Sequence, residues 1–278
     1  APAQAAFDAA VAKWQRIVYQ DIPDFANFSV AAGSCGSGSP AVGPVNVDDI
    51  LILVRLDSID GPGNVLGSAG PCYVRSTSRL PIIGSMRFDT ADVAGLITSG
   101  RLNDVIAHEM GHVLGFGTLW TQSVFSCLQS PSSAGSPADT YYSCANGLAM
   151  FDSIGGTTYT GGQKVPVENC GPASPAGCGA GTINSHWREP TLGAELMTGY
   201  LNGGVTNPLS RLSAAAMEDL GYGVNHDGAD AYVHTFTLRA FGAAAPLLDL
   251  GDDIRRGPLY LVDQGGRVVR VIQPGERW

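Results

Sequence analysis

Two histidines and one glutamate stand at a spacing that suits metal-dependent hydrolysis. Residues 105–115 read VIAHEMGHVLG, in which His108 and His112 are four residues apart. On an α-helix both imidazoles leave the same face, so they can bind one metal ion together. Glu109 follows the first histidine and can take a proton from a water molecule on that ion. These side chains predict a metal centre that carries its own general base.

Chance explains this pattern poorly. The chain has 5 histidines in 278 residues, so only about 0.002 matches to H-E-x-x-H are expected at random. The apolar neighbours can pack one face of such a helix against a core, and Gly115 is a natural residue to end it. The alternative is a pair of core histidines on an amphipathic helix, which explains neither Glu109 nor Gly115. The pattern is typical of zinc peptidases.

A catalytic zinc site needs a third protein ligand and one open position. A histidine six residues after His112 would complete a compact site, but that position holds Thr118. A ligand glutamate on a nearby second helix is also missing, since the next glutamate is Glu168. Asp139 and Asp152 lie in polar, loop-like sequence. The histidines that remain are His186, His226 and His234.

The sequence around His186 resembles that of a known protein family. His186 is followed by Trp187, by residues 195–200 (ELMTGY) and by residues 217–222 (MEDLGY). Together with the H-E-x-x-H-x-x-G helix and the long insertion before His186, these segments resemble the leishmanolysin family of metzincins. In metzincins a methionine, here Met197, lies in a tight turn beneath a three-histidine zinc site.

The resemblance covers residues 90–226 and implies a zinc metalloendopeptidase of metzincin-type fold. It implies one catalytic Zn²⁺ bound by His108, His112 and His186. Glu109 is then expected to assist a zinc-bound water in attacking peptide bonds. The expected partners are protein or peptide substrates.

Other functions remain open. A secreted binding or adhesion module can retain a structural zinc site, although such a site has no use for Glu109 and is commonly closed by a fourth protein ligand. Zinc-dependent hydrolysis of a non-peptide bond is another alternative. Residues 225–230 (NHDGAD), which include His226, also suggest a calcium site, since hard cations prefer clustered oxygens.

The metal-binding helix needs a scaffold, and periodicity predicts an α+β fold with a mixed sheet over this helix. Residues 5–19 have helical spacing, and residues 50–56 form a dense apolar run typical of a buried strand. Residues 31–44 and 61–70 are rich in glycine and are predicted as loops.

Residues 81–88 predict another strand, which runs directly into Asp89 as the N-cap of a short helix. An extended peptide substrate would pair with an edge strand above the metal-binding helix. Residues 81–88, which open with a proline, are the candidate edge strand, with an internal strand as the equal alternative.

The second half of the chain has a different character. Residues 117–183 are poor in charge and rich in Ser, Gly and Pro, which predicts a loop-rich insertion. Residues 209–221 predict a helix with Ser213 as its N-cap and Gly221 as its stop. Residues 259–272 predict a β-hairpin.

These segments predict three parts. Residues 1–116 form an N-terminal α+β subdomain with the active-site helix. Residues 117–230 hold the disulfide-stapled insertion, the third zinc ligand, the methionine turn and a C-terminal helix. Residues 231–278 form a small β subdomain or C-terminal extension.

Six cysteines and no C-x-x-C pair favour three disulfides over a cysteine zinc site. Six cysteines allow 15 pairings, and the nearest-neighbour pairing is predicted: Cys35–Cys72, Cys127–Cys144 and Cys170–Cys178. Buried free thiols in a cytosolic enzyme are the alternative.

The net charge of −9 and the pI near 4.9 argue against nucleic acid or an anionic membrane as a partner. No apolar run is long enough to span a bilayer. The chain starts Ala-Pro-Ala, as a mature chain does after removal of a signal segment. A secreted monomer is therefore expected.

Overall fold

The computed structural model describes residues 2–175, 178–179, 181–233 and 247–276. Its α-helices are α1 (Pro2–Gln15), α2 (Thr90–Thr98), α3 (Leu102–Leu114), α4 (Ala145–Phe151), α5 (Thr157–Thr160), α6 (Glu189–Leu192) and α7 (Arg211–Asp219). Its β-strands are β1 (Phe25–Val30), β2 (Val42–Val47), β3 (Leu51–Asp57), β4 (Gly67–Arg75), β5 (Pro81–Asp89), β6 (Leu128–Gln129), β7 (Tyr141–Tyr142), β8 (Val165–Pro166), β9 (Tyr200–Asn202), β10 (Leu247–Asp249), β11 (Leu259–Val262) and β12 (Val268–Ile272). A π-helical turn (Asp152–Gly156) and a 3-10 turn (His226–Gly228) complete the described elements.

The largest sheet has the strand order β12-β11-β4-β5-β3. β3 runs parallel to β5, β4 runs antiparallel to β5, and β11 runs parallel to β4. The predicted α+β class with a mixed sheet is confirmed. The candidate edge strand is not an edge, because β5 is hydrogen-bonded to β3 on one side and to β4 on the other. Pro81 is tolerated there because it is the first residue of the strand.

The strand β4 differs from the sequence prediction. Residues 61–70 were predicted as a loop, yet residues 67–70 begin a fully buried strand. Glycine and proline weaken the local preference for a strand. Pairing with both β5 and β11 supplies the hydrogen bonds that hold β4 in the sheet. The strand β2 begins at Val42, inside the predicted loop over residues 31–44, and pairs antiparallel with β1.

The helix α3 is buried between the sheet and α1. Its apolar residues Val105, Ile106 and Val113 are fully buried, and α3 contacts both β4 and β5. Trp14 of α1 donates its indole N–H to the carbonyl oxygen of Ala107 at 2.8 Å. The helix ends at Gly115, whose φ of 114° is left-handed, as predicted for its stop.

The N-caps of two helices can be compared with those predicted from the sequence. Asp89 is the predicted N-cap of α2 and accepts the backbone N–H of Ala91 at 2.8 Å. For α7 the N-cap is Ser210, and the prediction of Ser213 is wrong because Ser213 is buried inside the helix. The side chain of Ser210 accepts the N–H of Ser213, so the cap lies three residues before the predicted one. Gly221 follows α7, as predicted for its stop.

The predicted cysteine pairing is confirmed. The disulfides are Cys35–Cys72, Cys127–Cys144 and Cys170–Cys178. The predicted hairpin over residues 259–272 is also confirmed as β11 and β12, which pair antiparallel. Through β11 this hairpin joins the same sheet as β4. No helix within the described ranges is long and apolar enough to cross a membrane.

Candidate metal centre

The helix α3 presents His108, Glu109 and His112 in the interior of the protein. Both histidine side chains are fully buried, and Glu109 is 1% exposed. His186 is also fully buried, and its ring lies 5.2 Å from that of His108 and 4.8 Å from that of His112. The structure thus brings together the histidines that the sequence analysis proposed as ligands, although His186 is 74 residues after His112.

Each of the three imidazoles donates its Nδ1–H to a backbone carbonyl oxygen. The pairs are His108 with Leu196 at 2.7 Å, His112 with Phe116 at 2.9 Å and His186 with Thr182 at 2.9 Å. A carbonyl oxygen can only accept, so the proton of each neutral ring lies on Nδ1. Every Nε2 therefore keeps a free lone pair, and these bonds fix the ring orientation.

The three Nε2 atoms point at one another. Nε2 of His112 lies 2.9 Å from Nε2 of His108 and 3.0 Å from Nε2 of His186, and the third separation is 3.3 Å. With the protons on Nδ1, no hydrogen atom stands between these nitrogens. Three lone pairs at such distances in a buried site repel one another unless a cation lies between them.

A carboxylate completes the group. Asp253 is fully buried, and its Oδ2 lies 3.0 Å from Nε2 of both His108 and His186 and 3.6 Å from Nε2 of His112. Its other oxygen, Oδ1, is buried and has no hydrogen-bond partner among the residues that the structure describes. Sequence reasoning missed Asp253, since the search for ligands stopped at the third histidine.

The donor set fits a four-coordinate metal ion. Three nitrogens and one carboxylate oxygen lie within 4.8 Å of one another. A tetrahedral zinc site with bonds of about 2.0–2.1 Å has ligand atoms about 3.3 Å apart. The observed separations of 2.9–3.6 Å bracket that value. Imidazole and carboxylate together suit Zn²⁺ and other divalent transition metals.

The protein groups of the site shift one another's pKa values. Burial, and secondly the charge of Asp253, raises the pKa of Glu109 well above its usual value. Burial lowers the pKa of His112 to about 4. Burial is also the largest single effect on Asp253 and His186, but the neighbouring charges and hydrogen bonds together outweigh it, so the pKa of Asp253 is lowered and that of His186 is raised. A bound cation would offset the burial of these charges.

One carboxylate oxygen of Glu109 has no partner among the described residues. This oxygen, Oε2, is buried. An unpaired buried carboxylate oxygen is costly, by about 1–3 kcal/mol or more. This oxygen is therefore a candidate to contact a group bound at the site.

An aromatic cluster anchors the segment that carries His186. Trp187 is fully buried, and its rings contact Phe116 at 5.2 Å, Trp120 at 4.9 Å and Tyr142 at 5.4 Å. Its indole N–H donates to Oγ of Ser213 in α7 at 2.9 Å. The residue next to His186 is therefore fixed by both packing and a hydrogen bond.

The turn around Met197 lies against α3. A Cβ atom on Gly111 would stand 2.7 Å from Cε and 2.9 Å from Sδ of Met197, so the thioether packs on the helix between the two histidines. The carbonyl oxygen of Met197 accepts the backbone N–H of Trp187 at 3.0 Å. One turn thus supports both α3 and the segment of His186.

Glu195 holds this turn to α7. It is fully buried, and its Oε2 accepts the backbone N–H of Met197 at 2.6 Å. Its Oε1 accepts the hydroxyls of Ser210 and Ser213 at 2.7 and 2.6 Å. Because Leu196 between them accepts the Nδ1–H of His108, Glu195 positions a ligand indirectly.

Gly117 packs closely against the backbone of Ser185, the residue before His186. It has φ +69°, and a Cβ there would stand 1.9 Å from the carbonyl oxygen of Ser185. We expect Gly117→Ala to displace Ser185 and His186 and to weaken zinc binding by about 10–100-fold. Zinc titration by calorimetry measures the effect.

Gly135→Ala is the matched control, since Gly135 has φ +75° and no heavy atom within 4 Å of a built Cβ. It carries the same backbone strain, about 1–3 kcal/mol, without the collision. Equal zinc affinity in the two variants would show that the collision does not reach His186.

The disulfide Cys170–Cys178 closes a loop between two partners of His186. Glu168 donates its N–H to the carbonyl oxygen of His186 at 2.8 Å, and Thr182 accepts from the imidazole. We expect replacement of both cysteines by serine to lower the free energy of unfolding by about 2–3 kcal/mol. We also expect zinc affinity to fall about tenfold, measured by competition with a chromogenic chelator.

Serine replacement of Cys127 and Cys144 is the control, because that disulfide joins segments that make no hydrogen bond to His186. It should lower stability but not zinc affinity. The same loss of affinity in both double variants would contradict the link between the Cys170–Cys178 loop and the metal centre.

The predicted calcium site finds no support around residues 225–230. Asp227 forms an ion pair with Arg211, and Asp230 forms ion pairs with Lys13 and Arg16, so these carboxylates have cationic partners. His226 bonds Glu218 through Nε2 at 3.1 Å. His234 lies outside the described residues.

Comparison of the chain with protein-family models and with curated proteins gave no match.

Proposed function

We propose that this chain is a secreted zinc metalloendopeptidase of the leishmanolysin type, with a metzincin-like fold. The observation that carries the proposal is the convergence of three Nε2 atoms beside Glu109 on α3, whose buried Oε2 has no hydrogen-bond partner in the described part of the chain. A packed core has no use for either feature. The order of the elements supports the family proposal, since a mixed sheet covers α3 and Met197 packs beneath it.

His108, His112 and His186 would hold the metal as neutral ligands, oriented by their Nδ1–H bonds to backbone carbonyls. A bound zinc ion supplies a Lewis acid, which polarises a carbonyl group and lowers the pKa of water. Glu109 takes a proton from the attacking water and delivers it to the leaving amine. No covalent intermediate with a protein side chain is needed.

Secretion and substrate class rest on separate observations. Three disulfides support an oxidising, extracellular environment. A polypeptide substrate is supported by the sheet beside α3, because an extended chain can pair with a strand by main-chain hydrogen bonds.

One observation favours a second candidate function. Asp253 adds a fourth protein donor, and four protein ligands are typical of structural zinc sites. A binding or adhesion module with a structural zinc ion is therefore the alternative. The unpartnered Glu109 argues against it, since a structural site gains nothing from a second buried carboxylate.

Digestion of unfolded casein tests the choice, with wild-type protein and Asp253→Ala side by side. We expect cleavage that is lost on chelation of the metal and restored by zinc. Stoichiometric zinc without cleavage by either protein would favour the structural site.

A further inference from the structure

The segment that delivers Asp253 follows a defined path through the fold. β10 (Leu247–Asp249) pairs antiparallel with β9, which comes directly after the methionine turn. The backbone N–H of Leu250 then donates to the carbonyl oxygen of Gly199 at 3.1 Å, and Leu250 is buried. The chain leaves this turn and crosses to β4, in the largest sheet.

Residues 253–255, which we call the cleft segment, pair with β4 through one isolated parallel bridge. The N–H of Ala69 donates to the carbonyl oxygen of Asp253 at 2.7 Å, and the N–H of Arg255 donates to the carbonyl oxygen of Ala69 at 2.8 Å. These two bonds form a parallel bridge between Ala69 and Ile254. The cleft segment therefore takes the hydrogen-bonding positions that β4 offers at this point.

Arg255 fixes the end of the cleft segment. Its side chain donates to the carbonyl oxygens of Cys35 at 3.2 Å and Pro71 at 3.1 Å. Cavities of about 260 and 230 Å³ lie beside the segment and share Ile254 and Arg255 in their walls. Ile254 and Arg255 thus border both cavities.

The position of the cleft segment on β4 is also where a peptide substrate would have to bind for the proposed reaction. β4 contacts α3, the helix of His108, Glu109 and His112. A peptide that pairs with β4 would have its backbone next to the metal ligands, as strand addition requires. The cleft segment occupies the strand position, and Oδ2 of Asp253 occupies the position at the ligands that water or a substrate carbonyl needs.

We propose that the cleft segment is an internal occupant of the substrate cleft, and that Asp253 is a displaceable fourth metal ligand. This inference rests on the proposed peptidase function. The folded chain is then a low-activity form, and departure of the cleft segment from β4 opens both the strand edge and the fourth coordination position. An extended peptide then takes the place of the cleft segment on β4, and a water molecule takes the place of Asp253. No covalent bond forms or breaks in this exchange.

The test uses the full chain loaded with Co²⁺, whose visible spectrum reports coordination. The variants are Asp253→Ala and the isosteric Asp253→Asn. The matched control is Asp252→Asn at the neighbouring position, where the side chain is 52% exposed and forms an ion pair with Arg256. Asn tolerates the φ of +60° at that residue. Each protein is titrated with acetohydroxamate and then assayed, as the zinc form, on casein.

We expect every variant to bind one metal ion. The wild-type and Asp252→Asn spectra should not respond to acetohydroxamate, whereas the Asp253→Ala spectrum should change on binding. Casein cleavage by Asp253→Ala should exceed that of the wild type by at least about tenfold, because the binding-competent fraction rises.

Different results separate the two proposals. Equal hydroxamate binding and equal cleavage by wild type and Asp253→Ala would overturn the internal occupant but leave the peptidase. Hydroxamate binding by Asp253→Ala without cleavage would uphold the open fourth position but overturn the peptidase. Loss of the metal from both Asp253 variants would make Asp253 an indispensable structural ligand and overturn its displacement.

Discussion

Glu109→Gln is expected to lose about 10²–10⁴-fold in kcat/KM for peptide hydrolysis while the metal stays bound. The amide has nearly the shape of the carboxylate but cannot take the proton from water. The three imidazoles and their Nδ1–H bonds are unchanged by this substitution, so the zinc stoichiometry should stay at that of the wild type. The measurement is best made on both the wild-type chain and Asp253→Ala.

Glu218→Gln is the control for this prediction. Glu218 lies on α7, is 41% exposed and bonds His226. Its loss should leave hydrolysis unchanged. If Glu109→Gln were as active as Glu218→Gln, Glu109 could not be the base, and the proposed reaction would have to be abandoned.

His186→Ala is expected to remove most of the metal-dependent stability. A ligand that binds only the folded state at 1,000 times its Kd stabilises the protein by about 4 kcal/mol. Without His186 the site loses one of its three nitrogen donors, and Oδ2 of Asp253 keeps only one of the two imidazole nitrogens that lie 3.0 Å from it. Thermal unfolding with and without chelator measures the difference, which should be large for wild type and small for the variant. The difference should also shrink as the pH falls, because protons compete for the imidazoles.

His226→Ala is the control, since His226 is a partly exposed histidine that bonds Glu218 and not the metal group. Its response to chelator should match that of the wild type. An unchanged response in His186→Ala would place the metal, or the third ligand, elsewhere.

The parts of the site that could be predicted from sequence are the local ones. His108, Glu109 and His112 follow from helical spacing, and Gly115 follows from the need for a left-handed stop. His186 was reached only by eliminating other residues and by a family resemblance, because its distance along the chain from α3 has no periodicity. Its position depends on the aromatic contacts of Trp187, which exist only in the folded chain.

No sequence pattern around Asp253 indicates a metal ligand. It lies 145 residues from His108, in a run of acidic residues (Asp249, Asp252, Asp253) that resembles an ordinary solvated loop. The choice between an edge and an internal position for β5 was left open for a related reason, since its place inside the sheet is decided by the pairing of β4. The order of the strands and the position of a ligand far along the chain depend on how the sheet assembles. The local sequence pattern does not predict either of them.

The packing of Trp187 gives the molecule a built-in optical reporter. This indole belongs to the residue after a metal ligand and lies 4.9 Å from the ring of a second tryptophan, Trp120. Excitonic coupling between two such rings produces near-ultraviolet circular dichroism that is sensitive to their mutual angle. If metal binding shifts His186, we expect that angle to change, so aromatic dichroism and tryptophan fluorescence of the unlabelled protein would report the binding.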